Sequence, residues 1–325
     1  MNMPYRDGRS ARGIRAGHCG EDVTTLLTNG RIHSPAHPTA TALAVRDGVV
    51  AWLGDDAIGR SQFPDARVVD LGGGFVAPAF VDSHVHVTAT GLNLDGLDLR
   101  PATSLPHCLR LIAEYAQRHP DGPVWGHGWD ESGWPQRTPP STDYLDAVLG
   151  DRPAYLARVD VHSAAATTAL RRSVADLADA AGYAPQRPLS ADAHHLVRAA
   201  ARDRLTPRQR NDARVAALDH AASLGIVAVH ECAGPQIGGL SDWTELRGLR
   251  HGVEVIGYWG EPARDADHAR ALIAETGANG LAGDLFVDGA LGSRTAWLHD
   301  EYSDAPGTFG NCYLDTAAIA THLHA

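Results

Sequence analysis

The sequence predicts an α/β protein: an incomplete (β/α)8 TIM-type barrel, with about six strands present, joined to a small N-terminal β-sandwich part. Short apolar strands alternate with amphipathic helices from residue 75 onward, which favours a parallel α/β architecture. Before that point, short alternating strands separated by turns indicate a small sheet. No glycine-rich phosphate turn follows the first strand of the α/β region, so the rival doubly wound sheet is disfavoured.

The N-terminal part divides into a leader and a sheet region. Residues 1–21 are basic and polar and precede no apolar signal segment, so we expect a disordered leader. We interpret residues 22–74 as the N-terminal part of a composite β-sandwich. The Asp47-Gly48 pair predicts a tight hairpin turn between strands at 42–46 and 49–54, and another strand is expected at 66–71.

Residues 75–325 form the predicted barrel region. Its strands are expected at 76–81, 124–128, 154–159, 226–229, 253–258 and 284–287. Helical patterns separate them, at 105–119, 142–149, 208–224, 242–250 and 266–275, and irregular loops are expected at 126–140 and 180–193. Because such a barrel closes with eight strands, six strands are expected to leave open edges that invite self-association.

Composition narrows the classes of partner. The 325 residues include 28 basic and 39 acidic side chains, a formal net charge of −11, which argues against nucleic acid because phosphate binding needs a basic face. No run approaches the roughly 20 apolar residues that span a bilayer, so no membrane partner is expected. The cysteines show no paired spacing, which indicates free thiols and a cytoplasmic protein; they are Cys19, Cys108, Cys232 and Cys312.

The strongest chemical signal is the segment Asp82-Ser83-His84-Val85-His86, directly after an apolar strand. Side chains two residues apart in an extended chain share a face, so His84 and His86 should project together from the carboxyl end of the strand, where barrel active sites lie. Two imidazoles on one face form half of a metal site, for which Zn²⁺ is the usual occupant. The alternative interpretation is two polar residues in a strand-to-helix loop.

Four segments together resemble amidohydrolase family 3, the YtcJ-like metal-dependent hydrolases of the amidohydrolase superfamily; they are residues 74–86, 125–130, 158–163 and 286–296. The resemblance covers residues 23–325. It implies a β-sandwich joined to a metal-bearing (β/α)8 barrel, in which a metal-activated water attacks a non-peptide carbon–nitrogen bond of a small-molecule substrate. His84 and His86 match the first two metal ligands of the family, and the metal is expected to be Zn²⁺ or a similar divalent ion.

Two features depart from the family pattern. Asp284 occupies the position of the family's bridging lysine, and every basic residue of this sequence is an arginine. A carboxylate can bind a metal directly, so Asp284 is either a replacement ligand or a polar residue that caps a strand. The family's late histidine motifs and its general-base aspartate have no match here. We therefore expect a chain without the last strands of the barrel, and its function is metal-dependent amidohydrolysis or, alternatively, that of a catalytically inactive remnant.

Four further residues are candidates for substrate binding. His162 follows a predicted strand and resembles a family position close to the substrate, although a polar loop residue is an equal alternative. Trp129 and Asp130 are expected to shape the entrance of the pocket. His230, followed by Glu231, ends another strand, where structural or capping roles compete with chemistry.

Overall fold

The structure, a computed structural model, describes residues 24–325; the predicted leader at 1–21 lies outside the described residues. The chain divides into two compact units, the first ending at Ala79 and the second covering Phe80–Ala325. Both units combine helices and strands, so the predicted mixed α/β class is confirmed. Across residues 24–325, none of the helices combines the length and apolar character needed to cross a bilayer.

The first unit consists of two small sheets and one helix within its described residues. Its elements are β1 (Thr25–Thr28), β2 (Arg31–Ile32), β3 (Ala42–Arg46), β4 (Val49–Gly54), α1 (Asp56–Gln62), β5 (Arg67–Asp70) and β6 (Phe75–Val76). Four strands form a sheet in the order β4-β3-β1-β5, and β2 pairs with β6. The predicted hairpin is present, since Asp47 and Gly48 turn with φ angles of 51° and 76°, as a tight two-residue turn requires.

The second unit alternates strands and helices for most of its length. Its strands are β7 (Phe80–Val85), β8 (Leu97–Asp98), β9 (Val124–Trp129), β10 (Ala154–Arg158), β11 (Ser163–Ala166), β12 (Leu189–Ser190), β13 (Ile226–Ala233) and β14 (Glu254–Trp259). Its helices are α2 (Val87–Asp95), α3 (Leu105–Arg118), α4 (Thr142–Leu149), α5 (Thr168–Arg171), α6 (Ala191–Asp203), α7 (Pro207–Ser223), α8 (Gly239–Arg247), α9 (Ala266–Thr276) and α10 (Thr316–His324).

These strands form two separate sheets. One has the order β14-β13-β7 with both pairings parallel, and the other has the order β12-β11-β10-β9-β8, in which β8, β9 and β10 are parallel. Among the described residues the two sheets do not close into a single barrel. The parallel pairing of β7 with β13 brings the carboxyl ends of both strands to one edge of the sheet, and this edge carries the candidate site.

Two predicted elements of the second unit are wrong. Residues 284–287 form no strand, because Gly283 turns with a φ of 77° and the Val287 carbonyl accepts hydrogen bonds from the N–H groups of Tyr313 and Leu314, without a strand ladder. Residues 180–193, predicted as a loop, contain β12 and the start of α6. The first barrel strand also lies at Phe80–Val85, a few residues later than predicted, so His84 belongs to the strand itself.

An apolar core fastens α2, α7 and α8 to the sheet that contains β13. Val229 of β13, Leu218 of α7 and Trp243 of α8 are at most 2% exposed and belong to one cluster with Val87 at the start of α2. The helices α2 and α7 approach so closely that a Cβ atom on Gly91 would lie 1.8 Å from a backbone oxygen of α7. The segment that follows His86 is therefore rigidly held.

Candidate metal centre

Three predicted residues meet at the carboxyl end of β7. His84, His86 and Asp284 each offer one potential ligand atom, and these atoms all lie within 4.8 Å of one another. The imidazole rings of His84 and His86 are 5.4 Å apart at an interplanar angle of 71°, and the Nε2 atom of His86 is 3.2 Å from Oδ2 of Asp284. The structure thus brings the two histidines of one strand to a carboxylate about 200 residues away in the sequence.

Local structure explains how each histidine is presented. His84 is exposed near the end of β7. Its backbone N–H donates a hydrogen bond of 3.1 Å to Oδ1 of Asp82 in the same strand. His86 lies directly before α2 as its N-cap residue, although its side chain does not cap the helix. Its ring is therefore available for other contacts.

The side chains of His86 and Asp284 stabilise each other's charged forms. Burial opposes a charge on His86, but the Asp284 and Glu231 carboxylates outweigh it and raise the pKa of His86 to about 9. Burial likewise opposes a charge on Asp284, yet the hydrogen bond from His86, together with the nearby His84 and His162, lowers the pKa of Asp284. The ring of His86 thus has a carboxylate on each side, with Asp284 near Nε2 and Glu231 near Nδ1.

Glu231 of β13 is the second of these carboxylates. It is 4% exposed, its Oε2 accepts a 2.7 Å hydrogen bond from the Val87 N–H, and its Oε1 is 3.9 Å from Nδ1 of His86. At that distance Nδ1 is a buried atom without a hydrogen-bond partner. Sequence analysis selected His230 from the same strand, but His230 packs against the ring of Tyr258 at 5.4 Å. Adjacent strand residues face opposite ways, and the sequence does not reveal which of the two faces His86.

The three potential ligands border a cleft of about 710 Å³. His162 also lines this cleft, and the walls of the cleft include the aromatic rings of Trp125 and Tyr155. These two rings are 4.7 Å apart. The cleft therefore combines a cluster of imidazole and carboxylate groups with an aromatic wall.

Trp129 and Asp130 do not border this cleft, contrary to the expectation that they shape its entrance. Trp129 is 1% exposed, and its indole N–H donates a 2.8 Å hydrogen bond to the Leu156 carbonyl. Asp130 accepts a 3.0 Å hydrogen bond from Arg158, which also binds Glu131. Both predicted residues support the structure around β9 and β10.

Sequence analysis missed the residues that α6 contributes next to the cleft. The hydroxyl of Tyr155 is 2.8 Å from Nε2 of His194, which is 1% exposed. His195 stacks on Phe286 at 5.3 Å and accepts a 3.0 Å hydrogen bond from Arg198 at its Nδ1 atom. The buried positions 194, 197 and 201 have helical spacing, and this signal would have identified the helix.

The chemistry of the cluster fits a divalent metal ion. Two imidazoles and one carboxylate form a donor set that suits zinc and similar ions. The buried Nδ1 atom of His86 faces a carboxylate, as is usual for the nitrogen that a metal-bound histidine does not use. His84, His86 and Asp284 are therefore the residues that could hold a metal.

The chain matches one family model and is similar to several curated proteins. The family model described as "Amidohydrolase family" matches residues 67–325. Protein LONG AFTER FAR-RED 3 of Arabidopsis thaliana is 25% identical over 91% of this chain and 55% of its own length. Putative amidohydrolase YtcJ of Bacillus subtilis (strain 168) is 27% identical over 83% of this chain and 54% of its own length. The chain thus spans about half the length of these curated relatives.

A solved structure agrees with this relationship. The crystal structure of an uncharacterized metal-dependent hydrolase from Pyrococcus furiosus aligns with 92% of this chain and 65% of that chain, with a TM-score of 0.62 and 25% identity. The matched family region contains His84, His86 and Asp284 together with most of the chain. From its sequence match and its fold, the chain belongs to amidohydrolase family 3.

Proposed function

We propose that this protein is a metal-dependent amidohydrolase that cleaves a non-peptide carbon–nitrogen bond of a small-molecule substrate, with Zn²⁺ as its metal. The observation that carries the proposal is the convergence of His84, His86 and Asp284 within 4.8 Å on a cleft large enough for a small molecule. The names of two similar proteins, an amidohydrolase from Bacillus subtilis and a metal-dependent hydrolase from Pyrococcus furiosus, support it.

Each residue of the cleft has a part in this proposal. His84 and His86 would each bind the metal through one nitrogen, and Asp284 would supply a carboxylate at the position of the family's bridging lysine. A bound divalent ion supplies polarisation of a carbonyl group and lowers the pKa of water to roughly 7. The rings of Trp125 and Tyr155 bind the apolar part of the substrate, because both line the same cleft.

The proposal includes the finer features of the fold. The parallel strands β7, β13 and β14 and the parallel strands β8, β9 and β10 would belong to a (β/α)8 barrel, and the sheets of the first unit to a β-sandwich. Self-association through open strand edges and a cytoplasmic location remain predictions.

Metal binding provides the first test. We expect the purified chain to bind about one Zn²⁺ tightly in equilibrium dialysis followed by elemental analysis. The double variant His84→Ala/His86→Ala should bind none, because one carboxylate cannot replace two imidazoles, and Asp284→Asn should bind less than the parent. His220→Ala is the matched control, since His220 is exposed on α7. Stoichiometric zinc in the double variant would refute the ligand assignment.

Turnover provides the second test. The zinc-loaded chain should hydrolyse at least one member of a panel of N-acyl amines, cyclic imides and N-substituted formamides, and the double histidine variant should hydrolyse none. Zinc binding without turnover on the whole panel would favour the alternative of an inactive amidohydrolase.

A further inference from the structure

We infer that Glu231 is a positioning residue for the metal site: it holds the proton of His86 on Nδ1 and so leaves Nε2 free to bind the metal. The inference rests on the proposed function. It assigns a role to a buried carboxylate that is not among the three potential ligands and that lies on β13, whereas His86 directly follows β7.

The first argument is that Glu231 cannot easily move away from His86. Its Oε2 accepts the 2.7 Å hydrogen bond from the Val87 N–H, which is the first backbone donor of α2 and has no partner inside the helix. The carboxylate also lies at the positive end of the helix dipole. With one oxygen fixed there, the other is held on the Nδ1 side of the neighbouring His86 ring, 3.9 Å away.

The second argument comes from the two sides of the imidazole. On the Nε2 side lie Asp284, at 3.2 Å, and His84 with its potential ligand atom. On the Nδ1 side lies Glu231, next to a small interior cavity of about 40 Å³ that Thr88 and Asp242 also line. A metal shared with His84 and Asp284 can therefore reach only Nε2.

A neutral imidazole carries one proton, and the position of that proton decides which nitrogen can bind a metal. With Nε2 facing the metal, the proton must lie on Nδ1, which is buried and has the Glu231 carboxylate as its neighbour. Metal-bound histidines usually donate their second N–H to such a group, and loss of that group typically weakens metal binding 10–100-fold. The geometry of Glu231 suits this role.

The chemistry of the side chain explains why a carboxylate is needed. Ionised glutamate offers two acceptor oxygens, so Glu231 can serve both the Val87 N–H and the Nδ1–H of His86. Glutamine has a single acceptor oxygen and can serve only one of them. Glu231→Gln therefore changes the number of acceptors while nearly preserving the volume of the side chain.

The experiment measures zinc affinity and the tautomer of His86 in the 325-residue chain. We expect Glu231→Gln to raise the zinc dissociation constant about 10–100-fold. In histidine side-chain ¹⁵N NMR of the zinc-loaded parent, His86 should show a protonated Nδ1 and a metal-bound Nε2, and this signature should weaken in the variant. Glu254→Gln is the matched control, because Glu254 is an exposed carboxylate on the neighbouring strand β14, and it should change neither quantity.

The outcomes separate this inference from the proposed function. If the parent binds zinc and Glu231→Gln binds it within twofold of the parent, the positioning role is refuted and the metal site stands. A lower melting temperature with an unchanged His86 signature would mean that Glu231 serves only to cap α2, which also refutes it. No zinc binding by the parent overturns both. Glu231→Ala should weaken binding at least as much as Glu231→Gln, and the glutamine variant decides the question if the alanine variant does not fold.

Discussion

Acidification should destabilise the protein through His195, which lies beside the cleft on α6. Burial disfavours the imidazolium, and the nearby Arg198 guanidinium adds repulsion, so the pKa of His195 falls from 6.5 to about 3. The unfolded chain takes up a proton near pH 6.5, whereas the folded chain does not until about pH 3. The free energy of unfolding therefore falls as the pH drops below 6.5. The stabilisation that comes from keeping His195 neutral is fully present only above that pH.

The size of the effect follows from proton linkage. A difference of one bound proton changes the free energy of unfolding by about 1.4 kcal/mol per pH unit. On acidification from pH 6 to pH 4.5, His195 alone should lower the free energy of unfolding by about 2 kcal/mol. This value allows for the partial titration of His195 in the unfolded chain. The variant His195→Asn removes the titrating ring and keeps an acceptor for Arg198.

Urea unfolding at a series of pH values measures this contribution. Subtracting the variant curve from the parent curve cancels the titration of all other groups, and the difference should decline by about 2 kcal/mol over that interval. His220→Asn, at an exposed position of α7, should leave the pH dependence unchanged. Parallel curves for the parent and His195→Asn would refute the conclusion that the folded state keeps His195 neutral.

Two further substitutions test the packing around the cleft. Tyr155→Phe removes the hydroxyl that lies 2.8 Å from the buried His194 ring. The nitrogen left without a partner should lower the free energy of unfolding in urea by about 1–3 kcal/mol. Equal stability of parent and variant would contradict this hydrogen bond. Gly91→Ala should lower stability by about 1–3 kcal/mol or more, because its Cβ would lie 1.8 Å from the Ala213 carbonyl oxygen. Gly133→Ala, with open space around the added Cβ, should melt like the parent, and a stable Gly91→Ala would contradict the close contact.

The sequence predicted the parts of the fold that depend on short-range signals. The Asp47-Gly48 turn is local, because its two residues alone favour positive φ angles. The helix at 142–149 likewise matches its prediction, and the Ser141 side chain caps it by accepting a hydrogen bond from the Tyr144 N–H. Such signals lie within a few residues and do not depend on distant partners.

The predicted strand at 284–287 is absent because a strand needs a neighbouring strand to pair with, and an apolar sequence does not reveal whether one is present. Leu285, Phe286 and Val287 have the composition of a strand. Within residues 24–325, however, the sheet continues beyond β14 only as one bridge between Tyr258 and Gly280. Helix α6 was missed for the opposite reason. Its two adjacent histidines look polar in the sequence, whereas His194 is buried against Tyr155.

The candidate site shows the same division between local and distant information. His84 and His86 were predicted to share a face because strand periodicity requires it. The choice between His230 and Glu231 depends on which face of β13 meets β7, and this pairing contains register irregularities that simple alternation does not foresee. The contact between Asp284 and His86 is tertiary, and the resemblance of the surrounding segment to a known family was the only sign of it.

The three potential ligands differ in how firmly the protein holds them, and this difference should govern metal binding. His84 lies within β7 and His86 directly after it, next to the fixed start of α2. Asp284 lies outside the helices and strands. The chain just before it is held by His322, whose ring contacts the Leu281 carbonyl at 3.1 Å and accepts a 3.0 Å hydrogen bond from the Ala263 N–H. A pre-ordered ligand loses less conformational entropy when it binds. The two histidines therefore define where the metal lies, and Asp284 is the ligand that adjusts to it.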